Sequence, residues 1–104
     1  MQVNGNVAER IFEVLREPLK LGPSDELQLR EHLAAGRVFR WRLPRSGGEV
    51  SGVLQPRDGT WTVVVDPDHF RLGGEVNWAI EQVRLSRLIA DIFRELHAAG
   101  ESVT

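Results

Sequence analysis

A chain of 104 residues, 41% hydrophobic and 27% charged, has the length and composition of one folded domain with a real core. A net charge of −2 argues against a general polyanion binder or a membrane-surface protein, and the lack of cysteine excludes disulfides, thiolate chemistry and Cys-based zinc sites. No apolar run approaches the roughly 20 residues of a membrane span, and the polar N-terminus is unlike a secretory signal, so a soluble cytoplasmic protein is expected.

The first amphipathic stretch predicts a helix over residues 7–17. Val7, Ala8, Ile11, Phe12, Val14 and Leu15 form its apolar stripe, with Glu9, Arg10, Glu13, Arg16 and Glu17 opposite. Asn6 is the expected cap, with Glu9 in the capping-box position, and Pro18 ends the helix. After the Gly22-Pro23 turn, Ser24 is the expected cap of a second helix over residues 25–35. Asp25 and Glu26 suit its positive end, and Gly36 provides a left-handed stop. Its apolar pattern is weaker, with Leu29 and Leu33 on one face.

Three strands follow, over residues 37–43, 49–55 and 60–65. Each alternates with period two, which predicts antiparallel strands with one buried face. Phe39, Trp41 and Leu43, then Val50, Gly52 and Leu54, then Trp61, Val63 and Val65 fall on that face. Matching the faces places Trp41 opposite Gly52, with the ring lying over the glycine, and Gly52 opposite Val63. Residues 45–48 and 56–59 are then four-residue hairpin loops.

The last element is a helix over residues 75–97, uninterrupted by Gly or Pro. Val76, Ala79, Ile80 and Val83 lie on one side. Trp78, Leu85, Leu88, Ile89, Ile92, Phe93 and Leu96 lie nearly opposite. The helix is therefore expected to bury opposite faces in its two halves, one on the sheet and the other on the N-terminal helices or a second copy of the chain. The fold class is α+β, in the order α-α-β-β-β-α, with one face of a three-stranded meander covered by helices.

Chemistry-bearing motifs are sparse. Asp66-Pro67-Asp68-His69 could bind a metal or move a proton at a strand end, but Asp-Pro is also an ordinary turn initiator. His32 and His97 read as surface or boundary residues. Neither glycine pair, 47–48 or 73–74, makes a phosphate loop, and Ser46, Ser51, Ser86 and Ser102 lack a nucleophile motif. No catalytic residue, metal ligand or cofactor site is assigned.

Basic residues are unevenly chosen: Lys20 is the lone lysine beside twelve arginines, for which a GC-rich coding background is the simplest account. Residues 37–45 hold four arginines and no acid. Arg40 and Arg42 share the outer sheet face, with Thr62 expected near Arg40 and Val53 and Val64 beside them. The face reads as solvated, as a grip for an acidic protein, or as a nucleic-acid contact that lacks outward aromatics for stacking.

The leading expectation is a small non-enzymatic protein-interaction module: an adaptor, inhibitor, chaperone or regulator. Arg40, Arg42 and Thr62 form one candidate partner-binding patch. Leu88, Ile92, Phe93 and Leu96 form another, through which a homodimer is conceivable. A nucleic-acid-binding regulator using the arginine strand, and a small enzyme or metal site at Asp66, Asp68 and His69, are the alternatives.

Overall fold

The computed structural model describes residues 3–45, 47–71 and 76–100. The chain runs through α1 (Gly5–Arg16), α2 (Pro23–Ala35), β1 (Phe39–Arg45), β2 (Gly48–Arg57), β3 (Thr60–Val65), a short 3-10 turn (Pro67–His69) and α3 (Trp78–Ala98). The strands form an antiparallel sheet in the order β1-β2-β3. This is the expected α+β order.

Alternation decides which side of the sheet is covered. Phe39, Trp41, Leu43, Val50, Leu54, Trp61, Val63 and Val65 are buried on one face. Against them pack Ile11, Phe12 and Leu15 of α1, Leu29 and Leu33 of α2, and Trp78, Leu85, Ile89, Ile92 and Phe93 of α3, in one hydrophobic cluster. The Trp41 and Trp78 rings meet at a centroid distance of 6.1 Å.

The first hairpin keeps the expected Trp41–Gly52 pairing. Its ladder continues to Arg45 and Gly48, so these two residues belong to the strands and not to the expected loop over 45–48. The second hairpin differs: Gly52 pairs with Val65, and Leu54 with Val63. Asp58 and Gly59 both adopt positive φ, at 50° and 78°, and close a two-residue turn between Arg57 and Thr60. Two consecutive left-handed residues match the twist of the flanking strands, so Asp-Gly makes the tight turn and the four-residue loop over 56–59 does not form. A shift of two positions keeps every side chain on its face but changes its neighbours.

The helix starts also move. Asn4, not Asn6, caps α1, its side-chain oxygen accepting the Val7 N–H at 3.0 Å. α2 begins at Pro23, a residue whose missing N–H suits the first helical position. Asp25 accepts the Gly22 N–H at 2.8 Å, and Ser24 lies inside the first turn. Gly36 has the expected left-handed conformation (φ 70°), and the Arg37 N–H returns to the His32 carbonyl at 2.8 Å.

Asn77 caps α3, accepting the Ala79 and Ile80 N–H groups, and Val76 precedes the helix; Glu75, its expected first residue, lies outside the described residues. Asn77→Ala is expected to cost about 1 kcal/mol and lower Tm by about 5 °C, read by thermal circular dichroism.

α3 is unbroken but does not bury opposite faces in its two halves. It buries a single stripe, Trp78, Leu85, Ile89, Ile92 and Phe93, while Ile80 (66%) and Val83 (46%) remain exposed. The reason is its position along the β3 edge. Ser86 Oγ accepts the Val63 N–H at 2.9 Å and lies 3.3 Å from the Val63 carbonyl. Gln82 Oε1 accepts the Val65 N–H at 2.9 Å. These two side chains, one helical turn apart, satisfy strand groups that would otherwise face outward, and they fix the helix rotation along its length.

Candidate interaction surface

With the helices on the inner face, the outer face of the sheet is left without a helical cover. β1 contributes Arg40 and Arg42, β2 contributes Ser51, Val53 and Gln55, and β3 contributes Thr62 and Val64. Arg40 and Arg42 are exposed; Val53, Thr62 and Val64 are half-buried. Arg40, Val53 and Val64 form one cross-strand rank. Thr62 pairs with Gln55 one rank away, so the expected proximity of Thr62 to Arg40 is corrected along with the register.

Two depressions that include Val64 cross this face. One lies over Arg40, Arg42, Ser51, Val53, Val64 and Asp66. The other, about 470 Å³, runs between β3 and the solvent side of α3. Thr60, Thr62 and Val64 form its strand side, Val83, Arg87 and Ala90 its helix side, and Arg57 stands at one end. Val83, on the side of α3 expected to be buried on the sheet, is thus part of a wall of this groove.

The electrostatics are uneven. Arg42 is 3.9 Å from Glu49, and Arg57 is 3.7 Å from Asp58. On α3, Arg84 pairs with Glu81, whose hydrogen bond raises the Arg84 pKa, and Arg94 pairs with Asp91. Among the described residues, Arg37, Arg40, Arg45, Arg71 and Arg87 belong to no ion pair. Acidic side chains concentrate on the helices, at Glu9, Glu13, Asp25, Glu26, Glu31, Glu81, Asp91 and Glu95. The open sheet face carries Arg40 and Arg42 together with Glu49, which faces Arg42, and Asp66, which lines the first depression.

The second expected patch is mostly interior. Ile92 and Phe93 are 5% and 7% exposed, and Leu96 packs against the core from a half-buried position. α1 covers this end of α3, and an Arg10–Glu95 ion pair at 2.8 Å bridges the two helices. Only Leu88, at 38%, presents substantial surface there.

Asp66, Asp68 and His69 do not converge. Asp66 accepts the Asp68 N–H at 3.0 Å, and His69 Nδ1 accepts the Ser51 backbone N–H at 3.1 Å. The Ser51 hydroxyl lies 3.4 Å from the same nitrogen. The acceptor lone pair that would take a serine proton is already engaged by the backbone, so the arrangement ties the turn to β2. Among the described residues, no three His, Cys, Asp or Glu side chains gather to hold a metal ion. His32 lies 2.9 Å from the Val38 carbonyl through Nδ1 and meets Phe39 edge-on; His97 is exposed.

Sequence reasoning missed the strand-edge roles of Gln82 and Ser86, the latter weighed only as a nucleophile. It passed over Arg87, while Arg57 counted as positive charge at the margin of the sheet face. The signal for the first pair was two polar residues, four apart, interrupting an apolar helix stripe. For the arginines it was only proximity created by the fold. No family model, curated protein sequence or solved structure matches the chain. Among the described residues no helix is long and apolar enough to cross a membrane.

Proposed function

We propose that this protein is a non-enzymatic interaction module that holds an acidic protein partner on the outer face of its sheet, as a cytoplasmic adaptor or regulator. The carrying observation is the uncovered face itself: Arg40 and Arg42 beside Val53 and Val64, on a chain whose acids lie mainly on the helices. Apolar contacts would supply burial, and the guanidinium groups would orient carboxylates and steer encounter.

The burial of Trp41, Trp61 and Trp78 disfavours the nucleic-acid alternative, because it leaves the sheet without an exposed indole for base stacking. A homodimer through the C-terminal helix is not part of the proposal, since Ile92 and Phe93 are already occupied by the core.

The test compares capture from the native host by the immobilised protein and by an Arg40→Glu/Arg42→Glu variant. Both sites are exposed, so the variant is expected to retain its circular dichroism spectrum. The expected result is a protein partner retained by the parent chain and depleted about tenfold or more by the variant. Equal capture by both, or capture of nucleic acid in place of protein, would contradict the reading.

A further inference from the structure

Building on that reading, we infer that the groove between β3 and α3 receives an acidic amphipathic segment of the partner, its apolar side chains against Val64, Val83 and Ala90 and its carboxylates on Arg57 and Arg87.

The groove's chemistry selects this occupant. Its lining holds no carboxylate and two guanidinium groups: Arg87, which belongs to no ion pair among the described residues, and Arg57, which is 3.7 Å from Asp58 of the adjoining turn. Val83 is 46% exposed although it belongs to a helix with a well-filled buried stripe, and Ile80 extends the same side of α3 at 66%. Apolar walls with cations at the margin suit a segment that is apolar on one side and acidic on the other. A nucleic-acid backbone offers the charge but no aliphatic side chains for Val64 and Val83.

Strand addition at this edge is blocked. The Val63 and Val65 N–H groups are held by Ser86 and Gln82, so an incoming segment must be recognised by its side chains. A second copy meeting the groove in a symmetric pair would bring the same two arginines together, a like-charge arrangement. A second copy presenting its acidic helices would make a head-to-tail contact that does not close on itself.

The test uses a labelled peptide with Asp and Glu on one face and Leu and Val on the other. It is compared by fluorescence anisotropy with a scrambled peptide of the same composition, a charge-reversed peptide and a single-stranded oligonucleotide. The protein is the full chain, together with Val83→Asp, Arg87→Glu and, on α1 away from the sheet face, Arg16→Glu. All three positions are exposed, and circular dichroism verifies the fold of each variant.

The amphipathic acidic peptide is expected to bind most tightly. Arg87→Glu and Val83→Asp should each weaken it about tenfold, Arg16→Glu about twofold or less, and backbone amide shifts should centre on Val64, Val83 and Arg87. Equal binding of the scrambled peptide, tighter binding of the charge-reversed peptide or oligonucleotide, or shifts centred elsewhere would overturn the inference. If the groove fails these tests while Arg40 and Arg42 still govern partner capture, the inference falls and the broader reading stands. If partner capture ignores Arg40 and Arg42, it is the broader reading that falls.

Discussion

Gly52→Ala is expected to destabilise the fold by about 3 kcal/mol and lower Tm by about 15 °C. A Cβ built on Gly52 lies 2.6 Å from the Trp41 ring and also collides with the Val64 carbonyl oxygen. Neither neighbour can yield easily. Trp41 is 3% exposed and wedged against Trp78, while the carbonyl belongs to the β3 backbone. Only a hydrogen fits between the indole and the strand, which is why a glycine stands in the middle of the central strand. Chemical denaturation with circular dichroism measures the loss. A change within about 0.5 kcal/mol would mean that Trp41 does not lie over Gly52.

The second large effect belongs to the β3 edge. Gln82→Leu combined with Ser86→Ala removes both acceptors serving the Val63 and Val65 N–H groups. Leaving two partly buried donors unpaired is expected to cost about 3 kcal/mol. The exposed strand edge also becomes a template for other chains, so aggregation should rise with protein concentration in light scattering. Ser86→Thr keeps the hydroxyl and should retain most of the stability. A double variant as stable and as soluble as the parent would show that α3 is not held to the strand through these side chains.

These two effects differ in how far they could be read in advance. Trp41 over Gly52 was legible because both residues fall on the same alternating stripe, and the first hairpin admits that register. The second hairpin was not set by alternation, since moving β3 by two positions preserves the face. Turn chemistry at Asp58-Gly59 decided it, and Thr62 moved away from Arg40 as a result. The apolar residues of α3 were legible as two stripes, but which stripe is buried depends on a tertiary contact. Gln82 and Ser86 turn toward the strand edge, and Ile80 and Val83 are left outside. The helix starts slipped because several capping residues lie within a few positions of one another, and tertiary packing chooses among them.

The candidate surface was legible as chemistry and not as shape. Arg40 and Arg42 could be placed on the outer face from period two alone. The groove joining Val64 to Val83, with Arg57 and Arg87 at its margin, brings together residues from three elements, and no local spacing announces it. The Leu88-to-Leu96 patch illustrates the reverse: its apolar periodicity was real, and α1 covers most of it.

The partner's position on the molecule is measured most directly by site-specific photocrosslinking, which the cysteine-free sequence permits. A single cysteine carrying a photoreactive label would replace Gln55 on the outer sheet face or, separately, Glu13 on the exposed side of α1. Irradiation in host extract is expected to attach a protein partner to the Gln55→Cys chain and not to the Glu13→Cys chain. Crosslinks from the helix position alone, or equally from both, would contradict the assignment of the open sheet face as the contact surface.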